Sequence, residues 1–170
     1  CNTRTDRVDP DLLALMYEAG CRNIAYGIES GNQESLDILK KQVTVERQEQ
    51  GVIWTHESKI SIMCSYILAL PGETEDKIRN TIKYAKRLAS QIALFYLPVP
   101  YPGSELYEVC KKNGGIRETK SWAEYLSIDF DNPVYINPII GKEGMKYWYK
   151  KAYRDYYLTP KVWLNCLKSI

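Results

Sequence analysis

From Ile60 to Leu70 nearly every residue is apolar or β-branched, and the run stops at Pro71-Gly72. Thr74 then opens a segment in which Ile78, Ile82, Ala85 and Ala89 recur at helical spacing. The pattern predicts a strand, a tight turn and an N-capped helix. A strand so uniformly apolar is expected to be covered on both faces, as in the parallel sheet of an α/β fold.

The same alternation extends on both sides. Asp9-Pro10 is a helix start, with Leu12, Leu15, Met16 and Ala19 as its predicted apolar stripe and Gly20 as its stop. Asn23 to Glu29 reads as a strand that ends in a carboxylate, followed by Ser30-Gly31-Asn32 turn chemistry. A helix with Leu36 and Leu39 inward follows, and Thr44 caps another with Val45, Gln48, Val52 and Thr55 on one side. Ile92 to Leu97 is a short strand closed by a proline-rich bend, and Ser104 caps a helix that ends at Gly114-Gly115. Strands near 23, 60 and 92, separated by helices, predict βα units and a parallel sheet. Residues 1–4 read as the tail of one further strand.

The expected architecture is therefore α/β: a partial, open (β/α) barrel over 1–114 with a helical C-terminal cover over 115–170. In the cover, Trp122, Tyr125, Leu126, Ile128 and Phe130 form a mixed segment, Lys142 to Tyr157 an amphipathic helix, and Pro160 to Ile170 a last helix. In such folds ligands gather at the C-terminal ends of the strands, which directs attention to Glu29 and to the Pro71-Gly72 turn.

Composition narrows the function classes. A net charge of +2 on 170 residues argues for neither nucleic acid nor a membrane surface as partner. No apolar run is long enough to span a bilayer and no signal peptide is visible, so a cytoplasmic location is expected. The five cysteines, Cys1, Cys21, Cys64, Cys110 and Cys166, form no CxxC or CxxxC, so a zinc or iron–sulfur site within this stretch is not expected. The 14 tyrosines, most of them late in the chain, suggest half-buried surfaces rather than chemistry.

Four segments taken together carry a resemblance. They are Val8-Asp-Pro-Asp-Leu-Leu with Ala19-Gly20-Cys21, Gly27-Ile-Glu-Ser-Gly-Asn-Gln33, Leu68-Ala-Leu-Pro-Gly-Glu-Thr74, and Pro100-Tyr-Pro-Gly-Ser104. In this order and at these distances they resemble the C-terminal half of the core domain of the radical S-adenosylmethionine (SAM) superfamily. The cobalamin-associated subgroup, with cyclases resembling the magnesium-protoporphyrin ester oxidative cyclase and with methylthiotransferase-like proteins, is the most similar. Tyr156-Tyr157-Leu-Thr-Pro160 also resembles that subgroup.

The resemblance implies a SAM site with Glu29 on the ribose diol, Lys41 on the methionine carboxylate, Ser65 near the ribose and Val99, with Pro100, offering backbone groups to the adenine. It also implies a [4Fe-4S] cluster and, in the subgroup, cobalamin. The CxxxCxxC loop that binds the cluster and the glycine-rich SAM motif are absent here, so the cluster ligands are expected outside this chain, in a missing N-terminal half of the same barrel. Alone, this stretch is expected to be inactive. Ala69 stands where the family usually has glycine, and Thr159 where it usually has arginine.

Local readings compete at several positions. Glu29 as a turn carboxylate, Lys41 as a helix-dipole partner and Ser65 as a hydroxyl satisfied inside the sheet each need no ligand. Thr74 and Glu73 read as a cap and its neighbour, Tyr66, Ile67 and Leu68 as core, and His56 as surface or core. Arg4 would face the cofactor side if it ends a strand. Two other function classes stay open: a non-catalytic α/β scaffold whose aromatic tail binds a protein, and a nucleotide- or phosphate-binding barrel enzyme.

Overall fold

A computed structural model describes residues 1–129 and 131–168, so Phe130 and the end of the helix expected to reach Ile170 lie outside the described residues. Four parallel strands, β1 (Asn2–Thr3), β2 (Asn23–Glu29), β3 (Ser61–Ile67) and β4 (Ile92–Tyr96), form one sheet in the order β1-β2-β3-β4. Helices α1 (Pro10–Glu18), α2 (Gln33–Ile38), α3 (Val45–Glu57) and α4 (Glu75–Leu88) run between the strands. After β4 come α5 (Glu105–Asn113), α6 (Gly141–Tyr157) and α7 (Pro160–Lys168). The fold is the expected α/β partial barrel.

Each strand hides one face and leaves the other open. Ile24, Tyr26 and Ile28 of β2, Ile62, Cys64 and Tyr66 of β3, and Ala93 and Phe95 of β4 are buried. Their neighbours Ala25, Gly27, Met63, Ser65, Leu94 and Tyr96 are half-buried and line an open groove of about 260 Å³, with Asn2 and Thr3 at its edge. The expectation of cover on both faces does not hold among the described residues. The reason lies in the pleat: side chains point to opposite faces in turn, and one set in β3 is Ser61, Met63, Ser65 and Ile67, which is half polar.

Helix α1 departs from its expected stripe as well. Leu13 is its buried residue, flanked by half-buried Met16 and Tyr17, whereas Leu12 and Leu15 are exposed. Positions 13, 16 and 17 satisfy the i, i+3, i+4 rule as well as the other set does, and contact with α3 and the sheet selects among them. Helices α3 and α4 follow expectation, burying Gln48, Gly51, Val52 and Thr55 in one and Ile78, Ile82 and Ala85 in the other.

Helix α6 carries five of the 14 tyrosines. Tyr153, Tyr156 and Tyr157 turn toward β4; the first two pack on Phe95, which also stacks on Tyr66 with ring centroids 5.2 Å apart, and Tyr157 bonds Ala93. The Tyr153 hydroxyl accepts from the Phe95 N–H at 3.1 Å, and Tyr156 meets the Ser90 hydroxyl at 2.9 Å. The mixed segment before α6 holds a 3₁₀ turn, Trp122–Glu124, whose Trp122 stays exposed beside Tyr125.

Candidate functional site

The site is built around an unusual end to β2. The register with β3 shifts between Gly27 and Glu29, and Glu29 adopts a left-handed backbone with φ 67°. This bulge turns the carboxylate back over the open face of its own strand. A Cβ placed on Gly27 would lie 2.5 Å from Glu29 Oε1 and 3.1 Å from Lys41 Nζ, so only glycine leaves room for the two charges here. Lys41 Nζ donates to Glu29 Oε1 at 2.7 Å, and both side chains retain about a fifth of their exposure (20% and 18%).

Lys41 lies three residues beyond α2, between Lys40 (φ 49°) and Gln42 (φ 52°), both left-handed. Its N–H donates to Leu36 O at 2.9 Å, and its carbonyl accepts from Arg4 at 2.6 Å. Lys40 instead pairs with Glu105 of α5.

The loop after Glu29 is clamped from beneath by a buried polar network. The Ser30 hydroxyl meets Thr81 of α4 at 3.1 Å and Glu73 at 3.3 Å, and Ser35 donates to Glu73 at 2.7 Å. Glu73 also accepts from the Leu70 N–H at 3.0 Å. At 1% exposure it lies deeper than a helix-end charge, and burial pushes its carboxyl above the usual glutamate value despite those donors. From the cover, the Asn137 amide donates to Leu70 O at 2.8 Å and to Glu73 O at 3.0 Å. Thr74 caps α4 by accepting from the Lys77 N–H. Gly72, at φ 76°, supplies the tight turn between strand and cap. The Leu-Pro-Gly-Glu-Thr motif is therefore scaffolding beneath the rim: Thr74 caps the helix as read, whereas Glu73 is buried in the network instead of standing beside the helix end.

Of the residues singled out from the sequence, Glu29 and Lys41 meet directly, and both lie against Gly27. Ser65 lines the groove together with Gly27; its hydroxyl is 3.5 Å from Tyr26 O, too far to be secured there. Val99 is half-buried in the bend after β4 and is not among the groove's lining residues. Tyr66 and Leu68 are core, while Ile67 is half-buried on the groove side of its strand. Sequence reasoning missed Gly27 as the residue that admits the charge pair. Its signal was its place two positions before Glu29, on the same face of the strand.

A cavity of about 870 Å³ lies at the opposite end of the strands, near Ile60, Ser61 and Gln91. Three of its four basic residues have local duties: Arg22 donates to the Tyr17 and Cys21 carbonyls, Lys161 donates to Arg87 O, and His56 Nε2 lies 2.9 Å from Leu88 O. Tyr17, Arg87 and Leu88 stand at or near the C-terminal ends of α1 and α4, where cations are favoured without any ligand. Burial lowers the pKa of His56, which makes a poor anion receptor. Among the described residues no three His, Cys, Asp or Glu side chains are grouped to hold a metal ion.

Residues 1–85 match the profile of the Radical SAM superfamily. The chain belongs to the radical SAM superfamily. It is 30% identical to the uncharacterized methyltransferase PH0819 of Pyrococcus horikoshii over 95% of this chain, which is 34% of that protein. It is 24% identical to the anaerobic magnesium-protoporphyrin IX monomethyl ester cyclase of Rubrivivax gelatinosus over 99% of this chain and 32% of that one. Among solved structures, the radical SAM methyltransferase TsrM of Kitasatospora setae superposes with a TM-score of 0.65 at 20% identity. That match covers 92% of this chain and 35% of TsrM and shows the likeness of fold. This radical SAM chain thus spans about a third of the length of these relatives. No helix among the described residues is long and apolar enough to cross a membrane.

Proposed function

We propose that this part of a radical SAM protein forms the carboxylate and ribose side of a SAM site, at the C-terminal end of β2. The observation that carries the reading is the Glu29–Lys41 pair, held at 2.7 Å beside an open groove. A zwitterionic amino acid attached to a nucleoside presents a carboxylate for Lys41 and a diol for Glu29. Each partner in the pair could exchange the other for one of those groups. An acceptor-only carboxylate suits two hydroxyl donors, and a point cation suits a carboxylate. Ser65 on the groove wall would contact the ribose, and the Val99-Pro100 backbone would face the adenine.

In the intact protein the proposed chemistry is reductive cleavage of SAM by an iron–sulfur cluster. The cysteines present here do not fit that cluster, because the five are dispersed and no group of ligands assembles among the described residues. No step is therefore assigned to it, and its ligands belong to a further N-terminal part of the barrel pairing beyond β1. Methyl transfer is the reaction class favoured by the names of PH0819 and TsrM, with ring closure next, after the cyclase. TsrM has been solved with cobalamin and a [4Fe-4S] cluster, and the likeness to it supports cobalamin as a further cofactor of the intact protein. No residue described here is assigned to cobalamin.

Titration of the full-length protein with S-adenosylhomocysteine tests the site. Glu29→Gln and Lys41→Ala should each weaken binding about tenfold, the loss of one charge-assisted hydrogen bond. Unchanged affinity in both variants would remove the assignment.

A further inference from the structure

Arg4 follows β1 directly and touches Lys41 without lining the groove. Its guanidinium grips Asp6 with two parallel bonds, Nε to Oδ1 at 2.8 Å and NH2 to Oδ2 at 3.0 Å. The same NH2 donates to the Lys41 carbonyl at 2.6 Å. The fork fixes the plane of the guanidinium, so the third bond is aimed rather than merely available. The two bonds from Arg4 also hold the Asp6 carboxyl below the usual carboxylate range.

The Lys41 loop needs such an anchor. Lys40 and Gln42 on either side hold left-handed backbones, each costing about 1 kcal/mol for a residue with a side chain. Apart from the ammonium's own bond to Glu29, the described ties of Lys41 are its N–H to Leu36 O at 2.9 Å and the Arg4 bond. The first belongs to the exit of α2. Of these two, the second alone comes from outside α2 and its exit, from the segment that follows β1.

We infer that Arg4, oriented by Asp6, is a positioning residue: it holds the strained 40–42 loop so that the Lys41 ammonium stands over Gly27 at the height of the Glu29 carboxylate. It acts through Lys41 and touches no ligand. The inference rests on the SAM-site reading above, because it needs Lys41 to meet a ligand carboxylate.

The test compares two ligands on the full-length protein by calorimetry. S-adenosylhomocysteine carries the amino-acid carboxylate, and 5′-methylthioadenosine lacks it. Arg4→Ala should weaken the first about tenfold, as loss of one charge-assisted bond predicts. It should leave the second within about twofold, the range of a remote surface change. Asp6→Asn should show the same selectivity at smaller amplitude, and Arg4→Lys, which keeps a cationic donor but no planar fork, should recover part of the loss. Equal weakening of both ligands, or no change in either, overturns the positioning role. A wild-type protein that binds both ligands equally, with Lys41→Ala indifferent as well, refutes the carboxylate reading itself and is recognised by that pattern. Retained methylthioadenosine binding shows in the same experiment that each variant is folded.

Discussion

The hydroxyl of Tyr157 accepts a hydrogen bond from the N–H of Ala93 at 3.1 Å and donates one to the carbonyl of the same residue at 3.0 Å. Tyr153 treats Phe95 in the same way, at 3.1 and 3.4 Å. Side chains of α6 thus occupy backbone groups that an adjoining strand would otherwise use, and β4 ceases to be a free sheet edge. Tyr153→Phe and Tyr157→Phe keep the ring packing but strand an N–H and a carbonyl each. Each should lower stability by about 1 kcal/mol, and amide exchange at Ala93 and Phe95 should accelerate. Unaltered exchange at both amides would show that the hydroxyls are idle.

Ala69 carries φ 64° while fully buried. A left-handed alanine costs about 1–2 kcal/mol, and glycine returns part of this gain as unfolded-chain entropy. Ala69→Gly should therefore stabilise the protein by about 1 kcal/mol in denaturant titration. Destabilisation would mean that the methyl group contributes more through packing than it loses through strain.

Glu73 predicts a pH signature. Because burial raises its pKa above the ordinary 4.5, the native state holds the proton more tightly than the unfolded chain. This stability is fully present below 4.5 and is lost as pH rises through the higher folded value. Glu73→Gln can keep its oxygen on the Leu70 N–H and turn its amide toward the Ser30 and Ser35 hydroxyls, which accept as well as donate. The melting temperature of wild type minus that of Glu73→Gln should therefore fall as pH rises across this interval. A flat difference sinks the claim.

Gly27→Ala brings a methyl group to the place where Glu29 Oε1 lies 2.5 Å away. With Lys41 Nζ also only 3.1 Å from that methyl position, the carboxylate must shift away from its place over Gly27. S-adenosylhomocysteine affinity should drop by tenfold or more, on the order of 1.4 kcal/mol, with the circular dichroism spectrum unchanged. Wild-type affinity in this variant would show that Glu29 has another productive position.

Local pattern carried much of this molecule. The caps at Asp9, Thr44, Thr74 and Ser104, the stop at Gly114 and the strands beginning near 23, 60 and 92 follow from side-chain chemistry and period alone, because each depends on neighbours a few residues away. Glu29 at a strand end was visible in the same way, whereas Lys41, read near the end of the following helix, was singled out by the family resemblance. Which stripe of α1 packs inward, which face of the sheet stays open, and where the late tyrosines go required the tertiary structure. So did the bulge that lays Glu29 over Gly27, the reach of Arg4 to Lys41 across 37 residues, and the burial of Glu73 beneath Ser30 and Ser35. Those relations join segments far apart in the chain, and distance along a sequence carries no information about which of several equally patterned faces will meet.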